Sequence, residues 1–292
     1  MVLQGDEKGQ GKARQHRRRA ADCMLWGMPP LATVTAALED LAPLRLAAEW
    51  DAVGLLVGSR RTNIEKVLSC LSLTAEVARE AIREQIDLIV SHHPLPFRPV
   101  ARITDTDPTG SVLLDLLHAG IAVWSSHTAW DSAAGGINDQ LAELCELGAV
   151  TPLVCDAICT KLGFGRMGIA PGTLTVGQLA RKLTHGLATR GVQVVGGEEV
   201  PVGRMGIVCG SGADGISIAR KAGCNTFLTG EIRLHDAIHA RAMGMGVIVL
   251  GHHASERFSM PVLAKRLATA VPGLDCRASA DEADPLVFLG RL

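Results

Sequence analysis

Short runs of consecutive apolar residues alternate with amphipathic stretches along most of the chain. Val67–Leu71, Asp87–Val90, Ile121–Trp124, Met205–Cys209, Thr226–Thr229 and Val247–Leu250 read as strands. Between them, Glu76–Gln85, Ser111–His118, Val176–Leu187, Ser217–Ala222, Leu234–Ala242 and Ser255–Leu267 carry the apolar spacing of helices. An earlier helix runs from Leu31 through Val34, Leu38, Leu41 and Leu44, with Thr33 as its expected cap. Strands that are apolar throughout are covered on both faces, so the alternation predicts an α/β fold with mainly parallel sheets. Gly and turn signals thicken from Thr151 to Val202. The chain therefore divides into a first α/β lobe over 29–150, a connecting segment over 151–205, and a remainder over 206–292 that completes the second lobe.

Composition narrows the classes. The 292 residues carry a formal net charge of −1, which makes no electrostatic case for nucleic-acid binding. There is no Tyr and only 3% aromatic residues, too few for a base-stacking platform of the single-strand-binding kind. No apolar run reaches the roughly 20 residues of a membrane span. The eight cysteines are too sparse for a disulfide scaffold and no secretory signal is expected, so free thiols and a cytoplasmic location follow. Cys155 and Cys159 form a C-x3-C with no second pair, which reads as two thiols rather than a zinc site. Residues 1–28 differ from the rest: over residues 1–20, six Lys/Arg against Asp6 and Glu7 make a basic stretch, and the segment reads as a flexible tail or as a mis-assigned start that Met24 or Met28 would correct.

The chemistry follows the strands. His92-His93-Pro94 ends the strand Asp87–Val90, His127-Thr-Ala-Trp-Asp131 follows Ile121–Trp124, Gly230-Glu231 with His235 follows Thr226–Thr229, and Gly251-His252-His253-Ala-Ser-Glu256 follows Val247–Leu250. Ligands of parallel α/β sheets bind outside the carboxyl ends of the strands. A lone histidine there is usually a hydrogen-bonded core or surface residue. An adjacent pair whose side chains diverge can serve two neighbouring metals, and His252 and Glu256 share a face if a helix opens there. Imidazoles with carboxylates and no nearby thiolate suit Zn, Fe, Mn, Co or Ni. Two bridged ions fit so many donors better than one, and their residual positive charge favours a small anionic substrate such as a phosphate ester. Gly210-Ser-Gly212 reads mainly as a tight turn. Glu49-Trp50-Asp51 reads as a cleft lining or as a packed Trp beside an Asp cap.

Taken in order, Trp50-Asp51…Gly54-Leu55, Asp87-Leu-Ile-Val-Ser-His92-His93-Pro94, His127-Thr…Asp131…Gly135-Gly136…Asn138-Asp139, Thr229-Gly230-Glu231…His235-Asp236 and Gly251-His252…Ser255-Glu256-Arg257 resemble the GTP cyclohydrolase 1 type 2 homologue family, also called NIF-three-like. The likeness spans about residues 29 to 270. It implies two similar α/β lobes with a dinuclear site at the strand ends between them. The implied ligands are His92, His93, Asp131, His252 and Glu256, with Glu256 the bridge. His127, Glu231 and His235 match pocket residues implied to support the ligands or move protons. The resemblance also implies ring-shaped homohexamers with sites facing an inner cavity. Departures are Ala52 where Asn is frequent, Ser72 where Asp is frequent, and His253 where an aromatic residue is usual. The function expected is that of a metal-dependent hydrolase of a nucleotide or other phosphorylated small molecule; the alternative is a non-enzymatic metal-handling or regulatory protein.

Overall fold

The computed structural model describes residues 28–287 and residue 289. The expected basic tail therefore lies outside the described residues, apart from Met28.

Two sheets carry the fold. In the first, β2 (Lys66–Cys70), β3 (Leu88–Ser91) and β4 (Ala122–Ser125) are parallel, and α2 (Ala75–Arg83) and α3 (Pro108–Ala119) connect them. The antiparallel β1 (Gly54–Val57) closes one edge and β13 (Asp275–Ala278) extends the other in parallel, giving the order β1-β4-β3-β2-β13. The second sheet repeats the plan. Its parallel strands β10 (Arg204–Val208), β11 (Thr226–Thr229) and β12 (Gly246–Val249) are linked by α7 (Gly215–Lys221) and α8 (Leu234–Ala242). The antiparallel strands β5 (Gly148–Thr151), β8 (Arg166–Ile169) and β9 (Gln193–Val195) complete the order β5-β8-β10-β11-β12-β9.

Alternation within the strands decides which face meets which core. Leu88, Val90, Ala122 and Trp124 point into a core shared with Met205, Ile207, Leu228 and Ile248 of the other sheet. The same core takes Val34 and Leu38 of α1 (Leu31–Leu41), Ile137 and Leu141 of α5 (Ile137–Leu144), Leu179 of α6 (Val176–Gly186) and Leu263 and Leu267 of α10 (Met260–Ala270). Ile89 and Val123 turn outward beneath α2 and α3, and Phe227 and Val247 do the same beneath α7 and α8. Both faces of the parallel strands are thus covered, as continuous apolar runs require.

Two segments depart from the expected division. The stretch 151–205 does more than connect: it supplies β8 and β9 to the second sheet and the hairpin β6 (Val154–Cys155) and β7 (Gly163–Phe164). These strands read as turns because they lack a continuous apolar run; Gln193 is exposed and β6 is exposed throughout. The chain's end also returns to the first lobe, where β13 pairs with β2. Local patterning cannot announce a partner some two hundred residues away.

Helix boundaries differ in informative places. Pro30, not Thr33, precedes α1 and offers no side-chain cap, and the helix stops at Leu41, leaving Leu44 in a short 3-10 turn after Pro43. The expected helix Ser255–Leu267 is broken. A short α9 (His252–Glu256) and a 3-10 turn over Arg257–Ser259 precede α10, whose first turn contains Pro261. His127–Ser132 forms a further short helix, α4.

Candidate metal centre

The carboxyl ends of β3 and β4 and those of β10, β11 and β12 converge on one cleft. His92 and His93 continue the ladder beyond β3, their backbone N–H groups donating to the carbonyls of Cys70 and Leu71 at 2.8 Å each. Alternation along a strand would send the two imidazoles apart, but beyond the end of β3 the rings converge on the cleft, their centroids 5.2 Å apart. His252 opens α9 directly after Gly251, and one helical turn returns Glu256 to the same side. His252 Nε2 lies 3.1 Å from Glu256 Oε2, and His93 Nε2 lies 3.0 Å from that same oxygen. The two ring nitrogens are 3.3 Å apart. Ligand atoms bound about 2.0–2.1 Å from one tetrahedral ion stand about 3.3 Å from each other, so this triangle has the dimensions of a ligand set.

His92 adds a second indication. Its side chain is 1% exposed, and neither ring nitrogen has a hydrogen-bond partner. Asp131 is partly exposed, but its Oδ1 atom is inaccessible and unpartnered, 3.6 Å from His92 Nε2. Glu256 Oε2 stands 3.9 Å from the same nitrogen. A buried donor or acceptor left unmade costs about 1–3 kcal/mol, so two facing orphans call for something between them. The donors form two groups that could each hold an ion, His92 with His93 and His127, and His93 with His252 and Glu256. The donor set therefore fits one or more metal ions.

The electrostatics agree. Burial drives the His92 imidazole well below its usual value, keeping it in the neutral form that ligates. Burial, reinforced by the Glu256 charge, pushes the Asp131 carboxyl up to about 7. Burial would also raise Glu256, but hydrogen bonds from His252 and His93 outweigh it and hold this carboxyl well below the usual range. The reciprocal hydrogen bond to Glu256 raises His252 to about 9. Burial, reinforced by the Asp131 and Glu256 charges, lifts the Cys209 thiol well above its usual value.

A proton-linkage prediction follows. In the metal-free protein His252 is protonated below about 9, and it must lose that proton to ligate. Affinity for Zn(II) should rise with pH, by roughly tenfold per unit where one proton is displaced, and flatten above about 9. Calorimetric titrations in buffers of different ionisation enthalpy should register the released proton near neutrality. A pH-independent affinity between 7 and 9 would contradict this.

The supporting shell was only partly legible in the sequence. His127 Nδ1 meets Asp51 Oδ1 at 2.7 Å, and Asp51 Oδ2 also accepts from the Thr128 backbone N–H (3.2 Å) and hydroxyl (2.5 Å). Asp51 is thus a cap for α4 supplied from a distant loop, and Trp50, read as packed or cleft-lining, is 67% exposed. Burial acts to lower the His127 pKa, yet the Asp51 hydrogen bond and the neighbouring carboxylates together raise it. Ser72 Oγ lies 2.7 Å from His93 Nδ1, orienting that ring as outer partners of metal-bound histidines do. Glu231 stands 3.1 Å from His252 Nδ1 and accepts from Ser211 Oγ at 2.9 Å. His235 lies exposed on α8, apart from both donor groups. His253 is next to a donor in sequence but belongs to neither group, its nearest carboxylate being Asp284 at 4.0 Å.

Gly210 carries a signal that the turn reading overlooked. Its backbone is left-handed (φ +57°), and a Cβ there would lie 2.2 Å from Glu256 Oε1 and 3.3 Å from His252 Nε2. The G-x-G is a tight turn because Glu256 occupies the space a side chain would need.

Comparison with known proteins finds relatives over most of the chain. The chain is 33% identical over 258 residues to the GTP cyclohydrolase 1 type 2 homolog of Clostridium perfringens, covering 86% of this chain and 97% of that one. It is 34% identical over 234 residues to the GTP cyclohydrolase 1 type 2 homolog of Streptomyces coelicolor, covering 78% and 82%. Among solved structures, the Bacillus cereus protein related to NIF3 superposes with a TM-score of 0.84 at 22% identity, over 90% of this chain and 100% of that one, a likeness of fold. No helix among the described residues is long and apolar enough to cross a membrane. The model of the family Duf34/NIF3 (NGG1p interacting factor 3) matches residues 30–285, which takes in both sheets and every donor of the cleft, and the chain belongs to that family.

Proposed function

We propose that this protein is a hydrolase dependent on two divalent metal ions, acting on a nucleotide or another phosphorylated small molecule. The observation that carries the reading is Glu256 Oε2, a single buried oxygen approached by the ring nitrogens of His93, His252 and His92 at 3.0, 3.1 and 3.9 Å. An oxygen shared in this way, with Asp131 3.6 Å from His92, belongs to a donor set large enough for two ions, which His93, His252, His92, Asp131 and Glu256 would hold. Bound divalent ions of the Zn, Fe, Mn, Co or Ni class would supply Lewis acidity and a local positive charge that draws anionic groups.

The chain's own residues supply orientation and protons. Ser72 and Glu231 hold the outer nitrogens of His93 and His252 and so fix both rings. His127 stands with His92 and His93, but its pairing with Asp51 favours the protonated form, so we assign it to proton donation rather than to holding an ion. Family resemblance supports the further expectation of a cytoplasmic, ring-shaped homohexamer.

The test is turnover of a panel of nucleotides and sugar phosphates by protein loaded with Zn, Mn or Fe(II). His127→Ala and Glu231→Gln should each lower turnover by about two orders of magnitude, the usual scale of proton-transfer assistance, while retaining the bound ions. Exchangeable ions without turnover on any member of the panel would instead indicate a metal-handling protein.

A further inference from the structure

Aromatic side chains are scarce here: among the described residues Trp124, Trp130 and Phe227 are buried and Phe258 is part-buried, while Trp50, Phe97 and Phe164 are exposed. Among the described tryptophans, Trp124 and Trp130 are buried in the shared core. Trp50 is the exception, and beside it Phe97 is also left 53% exposed. The two rings come from different loops. Trp50 ends the turn before β1, and Phe97 follows His92-His93-Pro94 after β3. Their centroids are 6.2 Å apart, and each presents an edge-type contact to the His127 imidazole, at 5.9 Å for Trp50 and 6.3 Å for Phe97. His127 in turn lies 5.2 Å from His92 and 5.6 Å from His93, ring to ring.

The turn that carries Trp50 is anchored rather than loose. Asp51, its neighbour, donates its backbone N–H to Ala48 O at 2.9 Å, and Ala48 N–H donates to Thr128 Oγ1 at 2.9 Å. The Asp51 carboxylate is fixed to His127 and Thr128. An indole held at a set position yet left in water gains nothing for the fold. Exposed apolar surface beside a polar cleft marks a place where something binds.

From this arrangement we infer that Trp50 and Phe97 form a stacking subsite for a planar heteroaromatic ring carried by an anionic ligand. A ring lying on the indole is one ring's distance from His127 and about two from His92, so an anionic group a sugar's length away reaches the donor cleft. Stacking on an aromatic face tolerates any base, because each has a π-face, so the subsite selects for a ring rather than for a particular one. This rests on the reading of the cleft as a metal-loaded site for phosphorylated small molecules and adds a ligand class and its recognition residues.

The experiment measures equilibrium binding to the full, metal-loaded chain by calorimetry. The probes are guanosine 5′-phosphate and ribose 5-phosphate, which carries the same sugar and phosphate without the ring. Fluorescence of the parent minus that of Trp50→Phe isolates Trp50 emission, and metal content and molar mass in solution are determined on every variant. The nucleotide should bind at least about tenfold more tightly than the sugar phosphate and quench Trp50 emission. Trp50→Ala and Phe97→Ala should remove most of that advantage, Trp50→Phe should keep part of it, and the sugar phosphate should bind all four proteins equally. Equal binding of both probes by the parent, or a nucleotide preference that survives Trp50→Ala, would overturn the subsite while leaving the metal reading intact. A Trp50→Ala change that alters molar mass instead of ring preference would assign the pair to an interface between copies of the chain and likewise overturn it. Absence of metal from the parent, with no binding of either probe, would overturn the underlying functional reading as well.

Discussion

Glu256→Gln is expected to strip the cleft of most of its metal while leaving the fold in place. Glutamine matches the shape of the carboxylate but carries no charge, and its amide nitrogen cannot accept the contacts that Oε2 now takes from His93 and His252. The loss falls on an oxygen that lies 3.0, 3.1 and 3.9 Å from the ring nitrogens of His93, His252 and His92, so it reaches beyond the one donor group that includes Glu256. Affinity should drop at least about 100-fold, beyond the 10–100-fold that changes in outer partners of metal ligands typically cause. The cleanest reading is thermal: added Zn(II) at 100 times the parent's Kd should stabilise the parent by about 2.7 kcal/mol and the variant hardly at all. Far-ultraviolet dichroism of the metal-free proteins should coincide. A variant that gains as much stability from Zn(II) as the parent would remove Glu256 from the centre of the account.

Gly210→Val should have the second-largest effect, by a different route. The left-handed backbone at Gly210 disfavours a β-branched residue, and the new Cβ would lie 2.2 Å from Glu256 Oε1. The turn cannot rotate away easily, because the Gly210 carbonyl accepts from the backbone N–H groups of Gly230 (3.0 Å) and Glu231 (2.9 Å) and from the Thr229 hydroxyl (3.2 Å). Its own N–H donates to Ser255 Oγ at 3.0 Å. We expect a destabilisation of about 2–3 kcal/mol, seen as a fall in Tm of roughly 5–10 °C, together with loss of metal. Gly191→Ala provides the control, since a Cβ there meets nothing within 4 Å, and it should change neither property. Equal behaviour of the two variants would contradict the role given to Gly210.

What the sequence disclosed follows from range. Buried parallel strands such as Leu88–Ser91 and Thr226–Thr229 are apolar on both faces, so their existence and class were readable locally. The clustering of His92, His93, His127, His252 and Glu256 at strand ends was readable for the same reason, because strand ends define the cleft edge. Edge strands were not. β5 is exposed along its whole length, and Asp275 and Arg277 make β13 look like a loop until β2 is placed beside it. The short helix α4 begins at His127, whose own φ is +28°, and its cap is Asp51, 76 residues earlier. No local pattern connects those two positions. His235 shows the converse limit: four residues after Glu231 it shares the motif, yet it is exposed on α8 and belongs to neither donor group.

The central claim is that this cleft holds two transition-metal ions. Mass spectrometry of protein purified without chelator or metal-affinity resin tests it most directly, with His92→Ala run beside the parent. The account predicts about two ions per chain in the parent and a clear reduction in the variant, since His92 is the buried, unpartnered imidazole facing Asp131. A parent that stays free of metal even after incubation with Zn(II), Mn(II) and Fe(II) would contradict it, and the histidines would then be a packed cluster with no ion to share.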